Sequence, residues 1–203
     1  MSDPGTRAFW LRHLHRWHWI SAALSLVGMV LFAATGITLN HAGSIEAKPQ
    51  VTTRTGQLPD TLLPQLANGA KDAPVPDDVR QWIAANVGVS IDGRKAEWQK
   101  DEIYVSLPRP GGDAWLTIDR ASGDIEYELT DRGWISFLND LHKGRNAGLL
   151  WSLFIDAFAG VCLIFCITGF FLLQFHSARR PATWPTVGLG IVIPIVLILL
   201  FVH

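Results

Sequence analysis

The chain has 203 residues, of which 49% are hydrophobic, nine are tryptophan and two are cysteine, and its formal net charge at pH 7 is −1. This balanced charge, together with the lack of a recognisable nucleic-acid-binding motif, excludes nucleic acid as the expected partner. Cys162 and Cys166 cannot supply a C-x-x-C-H motif or the four thiolates of an iron–sulfur cluster. The composition instead favours a small domain joined to membrane helices.

Three apolar runs predict three transmembrane helices. The first, over residues 17–41, contains no Asp, Glu, Lys or Arg, and it is long enough to cross about 30 Å of hydrocarbon as a helix. The second and third are predicted over residues 149–176 and 187–203. A cleaved signal peptide is the alternative for the first run, although the run exceeds the roughly 7–15 apolar residues of such a peptide.

Basic residues beside the spans predict which ends face the cytoplasm. Residues 1–16 contain three arginines, among them Arg12 and Arg16, and the loop 177–186 contains two more. By the positive-inside rule, both segments face the cytoplasm. The long segment between the first two spans is then periplasmic, as expected of a protein of the bacterial inner membrane.

The periplasmic segment changes character along its length. Residues 42–73 are rich in Pro, Gly, Thr and Asp, which predicts a linker. Residues 74–130 predict a small α+β domain, with one amphipathic helix beginning near Asp77 and a three-stranded antiparallel meander. Residues 131–148 are expected to be a segment that connects this domain to the second span.

Histidines lie at the ends of both long spans in a repeated order. The motif L-H-R at residues 14–16 and the motif L-H-K at residues 141–143 are each followed by a Thr-Gly pair and then by a histidine. Because consecutive spans run in opposite directions, the start of one is expected to lie beside the end of the other. The expected cytoplasmic group is His15, His18 and His176, and the expected periplasmic group is His41 and His142.

Paired imidazoles on facing helices can occupy both axial positions of a haem iron. We therefore predict two haem b groups, one near each membrane face, with His15 and His18 as alternative ligands opposite His176. The candidates for binding haem propionates are Arg12, Arg16 and Lys143. A zinc or copper site, a proton relay, or histidines merely tolerated at headgroup depth are the alternatives.

Four motifs resemble the PepSY-associated transmembrane (PepSY-TM) family. They are LHRWHW at 14–19, TGITLNH at 35–41, LTIDRASGDI at 116–125, and the run from LHKGR to CITGF at 141–170. The resemblance implies an α-helical membrane protein with a PepSY-like domain outside the membrane. It also implies similarity to haem-containing inner-membrane reductases of ferric siderophores, in which electrons cross outward and reduce a periplasmic ferric siderophore. The chain has no dinucleotide-binding motif of its own, so a cytoplasmic flavin or flavoprotein is the expected donor.

The chain departs from the larger members of that family in having three predicted spans and one PepSY-like domain, where they have four or more spans and two such domains. A homodimer is therefore a possible way to complete the helix bundle. The second functional hypothesis is a membrane-tethered PepSY protein that binds or regulates a peptidase and has no redox role. The colour of the protein purified in detergent distinguishes the two hypotheses.

Overall fold

The computed structural model describes residues 4–46, 48–67 and 69–202. The chain divides into a helical unit, which comprises the described residues up to Leu31 and from Phe154 onward, and a domain unit, which runs from Phe32 to Leu153. In chain order the elements are α1 (Pro4–Asn40), β1 (Gln50–Gln57), α2 (Asp77–Asn86), β2 (Glu97–Trp98), β3 (Glu102–Ser106), β4 (Gly112–Asp119), β5 (Asp124–Asp131), α3 (Trp134–Lys143), α4 (Leu149–His176) and α5 (Thr183–Phe201), with 3₁₀ turns at Leu63–Leu66 and Ser177–Arg179.

Helices α1, α4 and α5 have the length and hydropathy of membrane-spanning segments. Most of their large apolar side chains are exposed, as expected for surfaces that face lipid. A helix satisfies its backbone hydrogen bonds internally, which is why such apolar runs adopt this conformation in a bilayer. The predicted fold class, a protein with three transmembrane helices and a small α+β domain, is confirmed. Helix α1 begins well before the predicted start of the first span, so the arginine-rich segment before Trp17 is helical too.

The domain is built on a five-stranded antiparallel sheet with the order β1-β5-β4-β3-β2. Strands β3, β4 and the first half of β5 alternate buried and more exposed residues, so one face of the sheet forms the core. Helix α2 supplies Val79 and Ile83, which are fully buried. The strand residues in the same core cluster include Ile103, Val105, Leu116, Ile118 and Ile125.

The structure corrects the prediction of a linker over residues 42–73. Residues 50–57 form strand β1, which pairs with β5 along its whole length, from Gln50 opposite Asp131 to Gln57 opposite Asp124. The strand has the sequence QVTTRTGQ and lies at the sheet edge with nearly every residue exposed. Because neither face of β1 is buried, it has no apolar alternation by which a strand is recognised.

The structure also corrects the prediction that residues 131–148 are only a connection. They contain helix α3, which follows Gly133 and ends at Gly144, a residue in the left-handed conformation at φ 68°. Glycine favours this C-terminal position because it has no Cβ. His142 therefore lies on α3 and not on the membrane helix α4, which begins after Gly148.

Candidate functional site

His18 is held between two helices of the helical unit. Its Nδ1 lies 3.1 Å from Oγ1 of Thr168 and 3.2 Å from the carbonyl oxygen of Phe165, and its ring stacks on the Phe165 ring at 4.5 Å. The Thr168 hydroxyl donates to the Ile164 carbonyl at 2.7 Å, so its oxygen is available to accept from His18. Nδ1 therefore carries the ring hydrogen, and Nε2 keeps a lone pair.

Two glycines allow α1 and α4 to approach closely. A Cβ at Gly169 would lie 3.2 Å from Cε1 of His18, and a Cβ at Gly28 would lie 2.4 Å from the ring of Phe158. Small residues commonly permit such contacts between membrane helices. The Phe158 ring thus fills the space beside Gly28, whereas the Thr-Gly pair at 168–169 contacts the imidazole of His18.

His15 and His176 form the second histidine contact of the helical unit. Their ring centres are 6.1 Å apart and their planes are nearly perpendicular, at 87°. The Nδ1 atom of each ring donates to the carbonyl of the residue four positions earlier, at 2.8 Å in both cases, which leaves both Nε2 atoms with lone pairs.

A cavity of about 630 Å³ adjoins these histidines. Its volume lies within the range of about 300–1,000 Å³ that is usual for small-molecule and cofactor sites. Aromatic and aliphatic side chains supply most of the wall, and Arg180 supplies a cation. The residues that line the cavity are His15, His18, Phe165, Cys166, Gly169, Phe170, Leu172, Leu173, His176 and Arg180.

In the domain unit, His142 makes a contact that resembles that of His18. Its Nδ1 lies 2.7 Å from Oγ1 of Thr35, its ring centre is 4.9 Å from that of Phe32, and a Cβ at Gly36 would lie 3.6 Å from its Cε1. The Thr-Gly pair of each long helix thus contacts a histidine from another helix. His41 is exposed, with its Nδ1 bonded to the Ile37 carbonyl in its own turn, so the pairing of His41 with His142 stays a prediction.

The candidate basic residues lie outside the cavity lining. Arg12 and Arg16 are exposed on α1, and Lys143 is exposed at the end of α3. Sequence reasoning missed Arg180 as a site residue, although its position four residues after His176 would place the two about one turn apart in a continuing helix.

Within residues 4–46, 48–67 and 69–202, no group of three or more His, Cys, Asp or Glu side chains is arranged so that it could hold a bare metal ion. The zinc and copper alternatives need such a set, whereas a haem iron needs only two axial ligands from the protein.

The fold and the site define a class of membrane protein in which an antiparallel α+β domain is inserted between two long helices that carry partnered histidines. The comparisons with known proteins identify its family. The family model PepSY_TM_like_2, described as PepSY_TM-like, matches residues 9–203, and the chain therefore belongs to this family. The predicted resemblance to the PepSY-TM family is confirmed. Comparisons with curated proteins and with solved structures gave no match.

Proposed function

We propose that the protein binds haem b at the cavity between α1 and α4 and carries electrons across the bacterial inner membrane to a periplasmic ferric siderophore. The observation that carries this proposal is the separation of 6.1 Å between the rings of His15 and His176 beside a cavity of cofactor size. Both histidines line this cavity with Nδ1 bonded to their own helix turns, which leaves Nε2 of each neutral ring as the atom that would hold an iron.

His15 is our choice over His18 as the ligand opposite His176. The ring of His15 contacts that of His176, whereas the ring of His18 contacts that of Phe165. His18 is also hydrogen-bonded to α4 at the wall of the cavity. We assign it as a positioning residue of the site.

The remaining lining residues suit the apolar ring and the charged propionates of a haem. Phe170, Leu172 and Leu173 offer apolar contacts that exclude water, and the Arg180 guanidinium is suited to pair with a propionate. When bound, haem supplies a carrier for one electron, whose potential is set by its axial ligands and surroundings. The protein's own contribution is to orient the imidazoles and to keep the site in a medium of low dielectric constant.

The second haem of the proposal lies near the other membrane face, with His142 and His41 as ligands. Support comes from the contact of His142 with Thr35 and Gly36, which resembles that of His18 with Thr168 and Gly169. With the amino terminus in the cytoplasm, electrons would enter from a flavin or flavoprotein at the His15 side. They would leave toward the ferric siderophore at the domain side, and a homodimer would complete the bundle.

Absorbance spectra and pyridine haemochrome titration of the purified full-length protein test the proposal. We expect the wild type to bind haem b with low-spin spectra typical of two histidine ligands, and His15→Ala or His176→Ala to lose the haem at this site. His13→Ala is the matched control, because His13 lies on the same helix, bonds its own turn at the Phe9 carbonyl and does not line the cavity. A colourless wild type from cells supplied with a haem precursor would overturn the proposal, and retention of all haem in both variants would overturn the ligand assignment.

A further inference from the structure

Helix α3 buries two polar residues and exposes its largest apolar residues. Asn139 and Asp140 are exposed by only 8% and 3%, whereas Trp134 is exposed by 70% and Phe137 by 42%. In a domain surrounded by water the opposite distribution is the rule, because the apolar face of a surface helix turns toward the core. The exposed face of α3 is therefore suited to surroundings less polar than water.

The buried polar face of α3 is fully used inside the domain unit. The Asp140 carboxylate accepts from the Gly111 N–H at 2.8 Å and pairs with Arg145 at 2.8 Å. The Asn139 side-chain oxygen accepts from the Thr38 hydroxyl at 2.8 Å. Breaking such buried contacts would leave unsatisfied polar groups inside the domain. These bonds fix the rotation of α3 about its axis and keep Trp134 and Phe137 directed outward.

Two hydrogen bonds join α3 to the ends of helices α1 and α4. Thr38, which bonds Asn139, lies in the last turn of α1. Trp151, in the first turn of α4, donates its indole N–H to the Leu141 carbonyl at 2.8 Å. Only five residues, 144–148, join α3 to α4, so the two helix ends can be separated by at most about 20 Å.

We propose that α3 lies on the surface of the lipid bilayer, with the side chains of Trp134 and Phe137 in the headgroup region. Tryptophan is enriched at this depth because its ring is apolar and its indole N–H is polar. Amphipathic helices bind there with their apolar face about 5–10 Å into the boundary between headgroups and acyl chains. The lipid surface is the favoured occupant of this face because α3 is bonded to the last turn of α1 and the first turn of α4, which both have the length and hydropathy of membrane spans. The proposal is independent of haem.

The full-length protein labelled with 5-fluorotryptophan and reconstituted in lipid nanodiscs provides the test. The ¹⁹F resonance of Trp134 is assigned by its loss in Trp134→Phe, a change that disturbs little because the side chain is mostly exposed. The resonance of Trp82, which packs against the domain core, is assigned in the same way and serves as the internal control. We expect a lipid with a nitroxide at its headgroup to broaden the Trp134 resonance strongly and the Trp82 resonance little.

A soluble gadolinium chelate distinguishes lipid from water. The Trp134 side chain is 70% exposed when no lipid is present, so without lipid the chelate should broaden its resonance strongly. In the nanodisc we expect the chelate to broaden this resonance only weakly. Strong broadening of Trp134 by the chelate and not by the nitroxide lipid would overturn the proposal. Protection from both agents, with a dimer seen in the same nanodiscs, would overturn it in favour of a second copy of the chain on this face. Phe137→Trp in the Trp134→Phe background repeats the measurement one helical turn away.

Discussion

Replacing Thr35 by valine tests the contact between α1 and His142 most directly. The change removes the hydroxyl that lies 2.7 Å from His142 Nδ1 and keeps a branched side chain of similar size. A hydrogen bond from Nδ1 makes a histidine ligand more basic, which favours ferric over ferrous iron. Losing this bond should therefore raise the midpoint potential of the haem that we propose at His142. Only the difference in bond strength between the ferric and ferrous states shifts the potential, so a bond worth about 0.5–1.5 kcal/mol sets the upper limit. A difference of about 1 kcal/mol corresponds to roughly 40 mV for a one-electron couple.

Spectroelectrochemical titration of the purified variant measures this shift. Thr186→Val is the control, because that hydroxyl donates to the Ala182 carbonyl at the start of its own helix, α5, and makes no contact with α3 among the described residues. Thr35→Ser keeps a hydroxyl and should restore the wild-type potential. The reasoning is refuted if Thr35→Val and Thr186→Val give the same potential, or if His142→Ala retains every haem of the wild type.

Three further predictions concern the stability of the fold. Gly28→Ala places a Cβ 2.4 Å from a phenylalanine ring and should destabilise the helical unit by about 1–3 kcal/mol. Gly160→Ala, where a Cβ meets nothing within 4 Å, should be neutral or stabilising, and thermal unfolding in detergent that ranks the two equally would contradict this. Ile83→Ala should lower the free energy of unfolding of the domain by about 2–5 kcal/mol, because the side chain is fully buried. Val51→Ala, at an exposed position, should change this free energy little. Urea unfolding monitored by hydrogen exchange measures the free energy of unfolding of both variants. The backbone N–H groups of Ser122 and Ala121 donate to the Asp119 carboxylate and lower its pKa in the folded protein. The ionised carboxylate therefore stabilises the fold at pH values above the pKa of Asp119 in the unfolded chain, and this stabilisation is lost as the pH falls through the pKa in the folded protein. The stability difference between wild type and Asp119→Asn should accordingly be present near neutral pH and absent in strong acid.

The membrane helices and the central strands were predictable because each has a strong one-dimensional pattern. Hydropathy over about 20 residues identifies a span, and alternation in β3 and β4 identifies strands with one buried face. Strand β1 was not predictable, because its polar residues are exposed on both faces and its position depends on backbone pairing with β5. Helix α3 was missed although its sequence has an amphipathic pattern, with Trp134, Leu138 and Leu141 at helical spacing.

Helix direction alone predicts which histidines of the candidate site lie at the same end of the two spans. The antiparallel order of the first two spans predicts that His15 and His18 approach His176, and the structure brings all three to one cavity. The choice between His15 and His18, the contacts of Thr168, and the presence of Arg180 depend on how each helix is rotated about its axis. Rotation is set by side-chain packing, which a single sequence does not report.

The pairing of β1 with β5 determines how the domain is attached. Gln50 and Asp131 lie opposite each other on neighbouring strands, so the chain enters and leaves the sheet at points separated by one strand spacing, about 5 Å. The domain is therefore an insertion with a narrow stem, and a short turn of a few residues could close the same gap. Changes in the length of β2, β3 or β4 would leave this distance between chain entry and exit unchanged.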